Sequence, residues 1–422
     1  MLTFEENELL CRTGPGTSMG ELFRRFWIPA LLSEEVPTSD CPPVRVKLLG
    51  EELVAFRDTQ GRVGLVDAYC PHRRAELFYG RNEEGGLRCA YHGWKFDAEG
   101  KCVDLPTEPP ESNFKHKIHI TSYATKEHAG LVWAYMGPKE RKPELPELEW
   151  MRVPPDHVYV WKWIQESNYM QGLEGEIDSS HLAFTHRRLD EEPPVTTEVG
   201  VPAPNAIYAQ TDTVPRFDIK ERPGGLLIGA WRDATEDTYY WRITWFLVPF
   251  YSMTPPGGAR VYVPRDDESC WVFGVTYKYD RALTDKEREA WRSGKANGTP
   301  ELIPGTWRTQ RNKDNNFLIN RELQRARYYT GIESFREQDI ALTTSMGAII
   351  DRTKEHLGTS DAAIIASRRL LIKLARALQE GQEPYAAYHG EVYRGRGVAL
   401  LLKKNVPFDE GAKEFIKGAN LF

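Results

Sequence analysis

Two short segments concentrate side chains able to bind metal: Cys70-Pro-His72 within AYCPHRRAELFYGR and, sixteen residues further on, Cys89-Ala-Tyr-His92 within LRCAYHGWKFDAEG. Two thiolates and two imidazoles satisfy one tetrahedral zinc ion. They equally satisfy a [2Fe-2S] centre that takes two sulfurs on one iron and two nitrogens on the other. The setting favours the second, because His92-Gly-Trp94 runs on into a strand-like stretch and both pairs lie on loops between β-rich segments, whereas zinc fingers usually carry their His pair on a helix. Imidazole in place of thiolate raises the reduction potential, so such a domain would relay electrons.

A second constellation begins at Glu166 and runs ESNYMQGLEGEIDSSHLAFTH to His186. Read as a helix, Asn168, Gln171, Glu174, Asp178 and His181 recur at steps of three, three, four and three and form one polar stripe. That stripe holds no Lys or Arg, which is odd for a solvated face, so it is expected to face inward. His181 and His186 stand ~140° apart around a regular helix, so the helix must bend, widen or end between them. Two imidazoles and one distant carboxylate make the facial triad of non-haem Fe(II), with positions open for O2 and substrate. The segment ESFREQDIALTTSMGAIIDRTKEHLGTSD offers Glu337, Asp339, Asp351 and Asp361 as the distant carboxylate.

These residues need a scaffold. From Val44 to about Tyr135 the chain reads as short β-rich runs (VRVKLLG, ELVAFRD, VGLVDAYC, LRCAYHGWKFD, GLVWAYM) separated by turn signals. Gly137–Trp150 is charged, carries prolines and lacks apolar periodicity, the composition of a linker. Beyond it, VYVWKWI, IYAQTDTV, LLIGAWR, YYWRITWFLVPFY and WVFGVTYKY read as strands, with helical signals near 168–187, 286–293, 333–345 and 361–380. The expected division is residues 1–43 as an N-terminal helical arm, 44–136 as a β domain holding the first site, 137–150 as a linker, and 151–422 as an α+β domain holding the second.

Composition narrows the class. The 422 residues are 41% hydrophobic and 27% charged, enough apolar material for a globular core, and the formal charge is -6 with dispersed basic residues, against nucleic-acid binding. The start, MLTFEENELLCRTGPG, is acidic where a signal peptide would be basic, and no run of eighteen apolar residues occurs, so a cytoplasmic protein without a membrane span is expected. Six cysteines are too few for a disulfide scaffold; Cys11, Cys41, Cys102 and Cys270 read as isolated thiols.

CPH and CxYHGW resemble the Rieske loop signature, and D-x-x-H-x4-H at Asp178, His181 and His186 resembles the iron motif of the Rieske non-haem iron oxygenases. The opening NELLCRTGPGTSMGELFRRFWIPAL, the linker position and EHLGTSD look like the phthalate dioxygenase type of α-subunit, so the resemblance runs over essentially the whole chain. It implies an N-terminal antiparallel β Rieske domain and a C-terminal helix-grip-like α+β catalytic domain. It also implies a [2Fe-2S] cluster on Cys70, His72, Cys89 and His92, and mononuclear Fe(II) on His181 and His186. The E-x-D-I-A pattern favours Asp339 as third ligand, with Glu337 next. Asp178 would bridge to the Rieske histidine of a neighbouring subunit. An NAD(P)H-dependent flavin/iron-sulfur reductase would supply electrons, and the assembly would be a homotrimer or stacked trimers. One departure is Arg74, where many relatives carry a small residue.

The implied reaction is O2-dependent hydroxylation, in the dioxygenase form cis-dihydroxylation, of an aromatic carboxylate such as a phthalate or substituted benzoate. O-demethylation or monooxygenation within the same family is the alternative. A bare Rieske electron carrier would not need the second motif or a 270-residue second domain, and a zinc-stabilised binding protein would be colourless. Arg242 lies in the strand-like Tyr239–Phe246, alternating with Thr244 and Phe246 on one face. A lone Arg among aromatics needs an anion or a ring as partner, either in a structural ion pair or as a substrate carboxylate.

Overall fold

A computed structural model of the chain describes residues 2–109, 111–191, 198–202, 207–294, 296 and 298–417. It divides into two compact units, Thr13–Pro143 and a larger one made of Met1–Arg12 with Glu144–Phe422. The expected α+β class holds, with the β-rich unit first.

The smaller unit carries a six-stranded antiparallel sheet in the order Trp27–Leu32, Leu131–Tyr135, Ser122–His128, Val63–Asp67, Glu51–Arg57, Val44–Leu48. A second, four-stranded sheet is formed by Arg81–Glu83, Gly86–Arg88, Lys95–Phe96 and Cys102–Asp104. The helical arm expected over 1–43 is not one element: Trp27–Leu32 is a fully buried strand paired with Leu131–Tyr135. WIPALL is apolar on both faces, a pattern that periodicity cannot tell from a buried helix. Only the helix Phe4–Cys11 leaves this unit, and it belongs to the larger one.

The larger unit is built on an antiparallel sheet ordered Val158–Gln165, Cys270–Tyr277, Gly258–Pro264, Tyr251–Thr254, Thr238–Leu247, Gly225–Asp233, Arg216–Arg222, with Val398–Lys403 also paired to Thr238–Leu247. Helices Tyr169–Ile177, Phe335–Ser345 and Ala362–Gln379 accompany it. Gly172 lets the first of these press onto the sheet, since a Cβ there would lie 2.3 Å from the Tyr262 ring. Two expectations fail here. IYAQTDTV does not form a strand; Ile207–Thr211 is a short helix, its Tyr208 stacked on Tyr240. The last part of the expected linker is core: Leu148 and Trp150 are fully buried, and the buried Glu149 carboxylate accepts from Tyr277 Oη at 2.5 Å and pairs with Arg396. The charged composition predicts solvent exposure, whereas Glu149 is neutralised internally. Among the described residues no helix is long and apolar enough to cross a membrane.

Candidate functional site

The two Cys/His loops fold alike. In the first, the Arg74 N–H donates to Cys70 O at 2.9 Å and the Cys70 N–H to Ala75 O at 2.9 Å; in the second, Gly93 donates to Cys89 O at 3.0 Å and Cys89 to Trp94 O at 2.8 Å. Each turn needs a left-handed residue four positions past its cysteine, and Arg74 (φ 61°) and Gly93 (φ 77°) fill that position. The thiols are thereby buried, while the two imidazoles meet edge to face at 4.5 Å and His72 stacks on Trp94 at 4.3 Å. The donor set fits a binuclear cluster with its sulfurs inside and its nitrogens at the rim. Arg74 itself is 62% exposed and leans on Asp67 at 3.7 Å. The remaining cysteines are buried free thiols.

The second constellation does not form one helical stripe. Asn168 caps the helix by accepting from the Met170 N–H, and the helix ends at Ile177 because the Asp178 carboxylate accepts from the N–H groups of Ser180 at 2.6 Å and His181 at 3.4 Å. The polar residues do face inward, but three of them serve structure. Asn168 donates to Cys11 O and Asp267 O, Gln171 to Thr343 O and Gly347 O, and Glu174 pairs with Arg352 and Arg368.

Ending the helix lets the chain turn through His181–Ala183 and bring His186 back, so that His181 Nε2 and His186 Nε2 lie 3.2 Å apart. Asp339 Oδ1, from the helix Phe335–Ser345, lies 3.0 Å from His186 Nε2 and 3.6 Å from His181 Nε2. Among the described residues these are the three His, Cys or carboxylate donors that converge within 4.8 Å. Glu337 does not join them: two residues away it points ~160° to the other side of the helix, where it pairs with Arg311 at 2.9 Å.

Hydrogen bonding orients the donors. Gln338 Nε2 donates to Ile332 O at 2.7 Å, so its Oε1 faces His186 Nδ1 at 2.8 Å and that ring nitrogen carries the proton. His186 Nε2 then faces His181 and Asp339, so that two ring nitrogens and one carboxylate oxygen converge on one point. Phe335 stacks on the His186 ring at 3.6 Å, and Asp178 Oδ2 sits 3.6 Å from His181 Nδ1. Arg336 Nη1 holds Asp339 Oδ2 at 3.2 Å and is itself held by Glu176 at 2.6 Å, leaving Oδ1 toward the histidines. Burial alone would raise the Asp339 pKa, yet His186, Arg336 and His181 hold it well below the ordinary aspartate value. Burial disfavours the His181 cation, but Asp178 and Asp339 outweigh it and raise the ring's proton affinity, and with it the ring's basicity as a ligand.

The three donors line a cavity of about 510 Å³, within the usual range for small-molecule sites. Arg242 opens onto it. Its guanidinium donates to Thr244 Oγ1 at 3.1 Å, and no carboxylate lies in ion-pair range among the described residues, so the structural ion pair expected as one option is absent. Gln338, Phe335, Arg336, Glu176 and the cavity residue Arg260 escaped the sequence reading. Arg260 carried a usable signal, being a lone Arg in the apolar strand GARVYVP, as Arg242 is in its own strand.

A family profile described as Rieske [2Fe-2S] domain matches residues 26–124, and one described as LigXa C-terminal domain like matches residues 134–396. The chain is 39% identical to the 3-chlorobenzoate-3,4-dioxygenase oxygenase subunit of Comamonas testosteroni, covering 99% of both chains. It is 40% identical to the phthalate 4,5-dioxygenase oxygenase subunit of Pseudomonas putida, over 90% of this chain and 88% of that one. The NdmA QL mutant of Pseudomonas putida CBB5 with caffeine shares the fold at a TM-score of 0.59 and 18% identity, over 88% of this chain and 96% of that one.

Proposed function

The chain belongs to the Rieske non-haem iron oxygenases, as an oxygenase subunit using a Rieske [2Fe-2S] cluster, mononuclear iron and O2, and on that premise we propose which residues carry the reaction and on what. Cys70, His72, Cys89 and His92 hold the cluster; His181, His186 and Asp339 hold the mononuclear iron. When bound, that iron supplies reductive O2 chemistry at the cavity wall. The protein's own residues do the rest.

Gln338 and Phe335 fix the plane and tautomer of His186, and Arg336 ties off one oxygen of Asp339, so the donors need no rearrangement to receive the ion. Arg242, a cation without an acidic partner, binds the carboxylate of an aromatic substrate and orients the ring toward the donors. Asp178 receives His181 Nδ1 and keeps capacity for a further partner, which we assign to a Rieske histidine of an adjacent subunit. The assembly this requires is a homotrimer or stacked trimers, located in the cytoplasm and served by an NAD(P)H-dependent reductase.

The observation that carries this reading is the convergence of two imidazoles and one carboxylate within 4.8 Å on the wall of a cavity that also holds an unpaired guanidinium. Iron and sulfide assays are expected to return about three irons and two sulfides per chain. Substituted benzoates and phthalates are expected to trigger O2 uptake with the reductase, and product analysis separates ring dihydroxylation from monooxygenation or demethylation. No aromatic acid eliciting uptake in protein loaded with both metals would reject the substrate assignment.

A further inference from the structure

Arg232, on the strand Gly225–Asp233, is fully buried, yet among the described residues no carboxylate lies in ion-pair range of it. Its guanidinium donates to oxygens that carry no charge: Nη2 to Ser179 O at 2.5 Å, Nη1 to Ser179 Oγ at 3.3 Å and Nε to Asp212 O at 2.9 Å. The Asp212 carboxylate is engaged elsewhere, accepting from the Asp233 N–H at 3.0 Å and facing Arg216 at 3.6 Å. Burial brings the Arg232 pKa down to about 10, against the pull of Tyr240, Asp212 and Asp178 and with the Arg242 cation adding to it. A buried cation without an ion pair is costly, so its place needs a reason.

The reason lies in the peptide it grips. Ser179 O and the Ser180 N–H belong to one planar peptide unit, in the turn that ends the helix Tyr169–Ile177. Arg232 holds the oxygen end of that unit, and Asp178 Oδ1 accepts from its N–H end at 2.6 Å. With the plane held at both ends and Oδ1 committed to it, Oδ2 is left facing His181 Nδ1 at 3.6 Å. A guanidinium suits the task, because its five N–H donors in one plane reach three oxygens at once, whereas a side-chain amide has two donors on one nitrogen. Strand register separates this role from substrate binding. Arg232 is paired with Tyr240 and Ala230 with Arg242, so the two arginines are diagonal neighbours on one face of the sheet. Arg242 lines the cavity, and the fully buried Arg232 stands behind the Asp178 turn.

We infer that Arg232 is a positioning residue for Asp178: its hold on the peptide between Ser179 and Ser180 keeps the Asp178 carboxylate in the orientation that electron transfer from the adjacent subunit's cluster uses. This rests on the bridging role proposed for Asp178.

Amide exchange of the holoenzyme, followed by mass spectrometry, tests it without turnover. In Arg232→Gln the Ser180 and His181 N–H groups are expected to exchange about tenfold or more faster, while the helix Tyr169–Ile177 and the strand Cys270–Tyr277 keep their protection. Unchanged exchange at Ser180 and His181, or the same acceleration in all three places, overturns the inference. Single-turnover oxidation of the chemically reduced cluster by O2 and substrate gives a second measurement. With both centres loaded, Arg232→Gln is expected to slow transfer about tenfold or more, and Arg232→Lys, which keeps the charge but not the fork, by less. In an Asp178→Asn background Arg232→Gln is expected to add no further loss, whereas an arginine that only supports the fold would slow both backgrounds by the same factor. If Arg232→Gln cannot be purified, Arg232→Lys carries the same comparisons, and wild-type exchange and transfer in it overturn the inference. Failure of the underlying reading looks different, since Asp178→Asn would then itself transfer at near wild-type rate.

Discussion

Asp339 and Glu337 stand two positions apart on one helix, and the 100° step per residue sends them to opposite sides. Asp339 meets two imidazoles; Glu337, fully buried, meets Arg311. Asp339→Ala is therefore expected to lose one of about three irons and all oxygenation while the cluster's visible spectrum persists. Glu337→Gln is expected to keep its full iron content and lose about 1–2 kcal/mol of stability in chemical denaturation, since the amide still accepts from Arg311 but the charge pair is gone. Iron loss in Glu337→Gln with turnover retained in Asp339→Ala would move the ligand to Glu337. Asp178→Asn makes a sharper case. The amide oxygen can still accept from Ser180 and His181, so the turn survives and both centres load, but without the carboxylate charge, transfer between them is expected to fall by orders of magnitude. Single-turnover oxidation of the reduced cluster by O2 and substrate at near wild-type rate would rule out the bridge. At this scale the candidate donors were legible because few residue types bind iron. Gln338 and Phe335 were not, because amides and rings are common and only their contact with His186 marks them.

Among the elements, the paired cluster loops show how one backbone geometry accepts two different residues. Gly93 has no choice: a Cβ there would fall 2.6 Å from Pro106 Cγ, and its φ of 77° is costly for any L side chain. Gly93→Ala is expected to cost about 1–2 kcal/mol from the backbone alone, with more from the collision. Arg74 holds the equivalent position at a φ of 61° with its side chain in solvent, so Arg74→Gly is expected to stabilise the smaller unit by about 0.5–1 kcal/mol. Thermal unfolding followed by the cluster's absorbance checks both, and a destabilised Arg74→Gly would show that the Asp67 contact outweighs the strain. The departure noted at Arg74 in the sequence thus has a backbone meaning that spacing alone does not reveal. The reverse happened at IYAQTDTV, where β-prone residues form a short helix because Tyr208 finds its partner in the strand residue Tyr240.

For the whole molecule, the first twelve residues belong with a unit that otherwise begins at Glu144. Asn7 donates to Ile350 O and accepts from Arg352, while the Leu10 and Cys11 carbonyls accept from Tyr169 and Asn168 at the start of the helix that leads to Asp178. Removing residues 1–12 would strip these bonds and take the fully buried Leu10 out of the core, at a cost of about 3–5 kcal/mol. The expected outcome is a lower unfolding temperature and depleted mononuclear iron, with the cluster spectrum unchanged. Equal loss of both centres, or of neither, would contradict this division of the chain.

Donor chemistry depends on side-chain type and short spacing, so the Cys/His loops, the His181/His186 pair, the α+β class and the family resemblance could all be read along the chain. The linker's end, the place of residues 1–12 and the inward stripe's structural duties could not, because buried charges and amides there find partners about a hundred residues away or further. The selection of Asp339 over Glu337 toward the histidines depended on how one helix is rotated against another. Arg260 and Arg242 came to share a cavity only through the register of strands that no local pattern encodes.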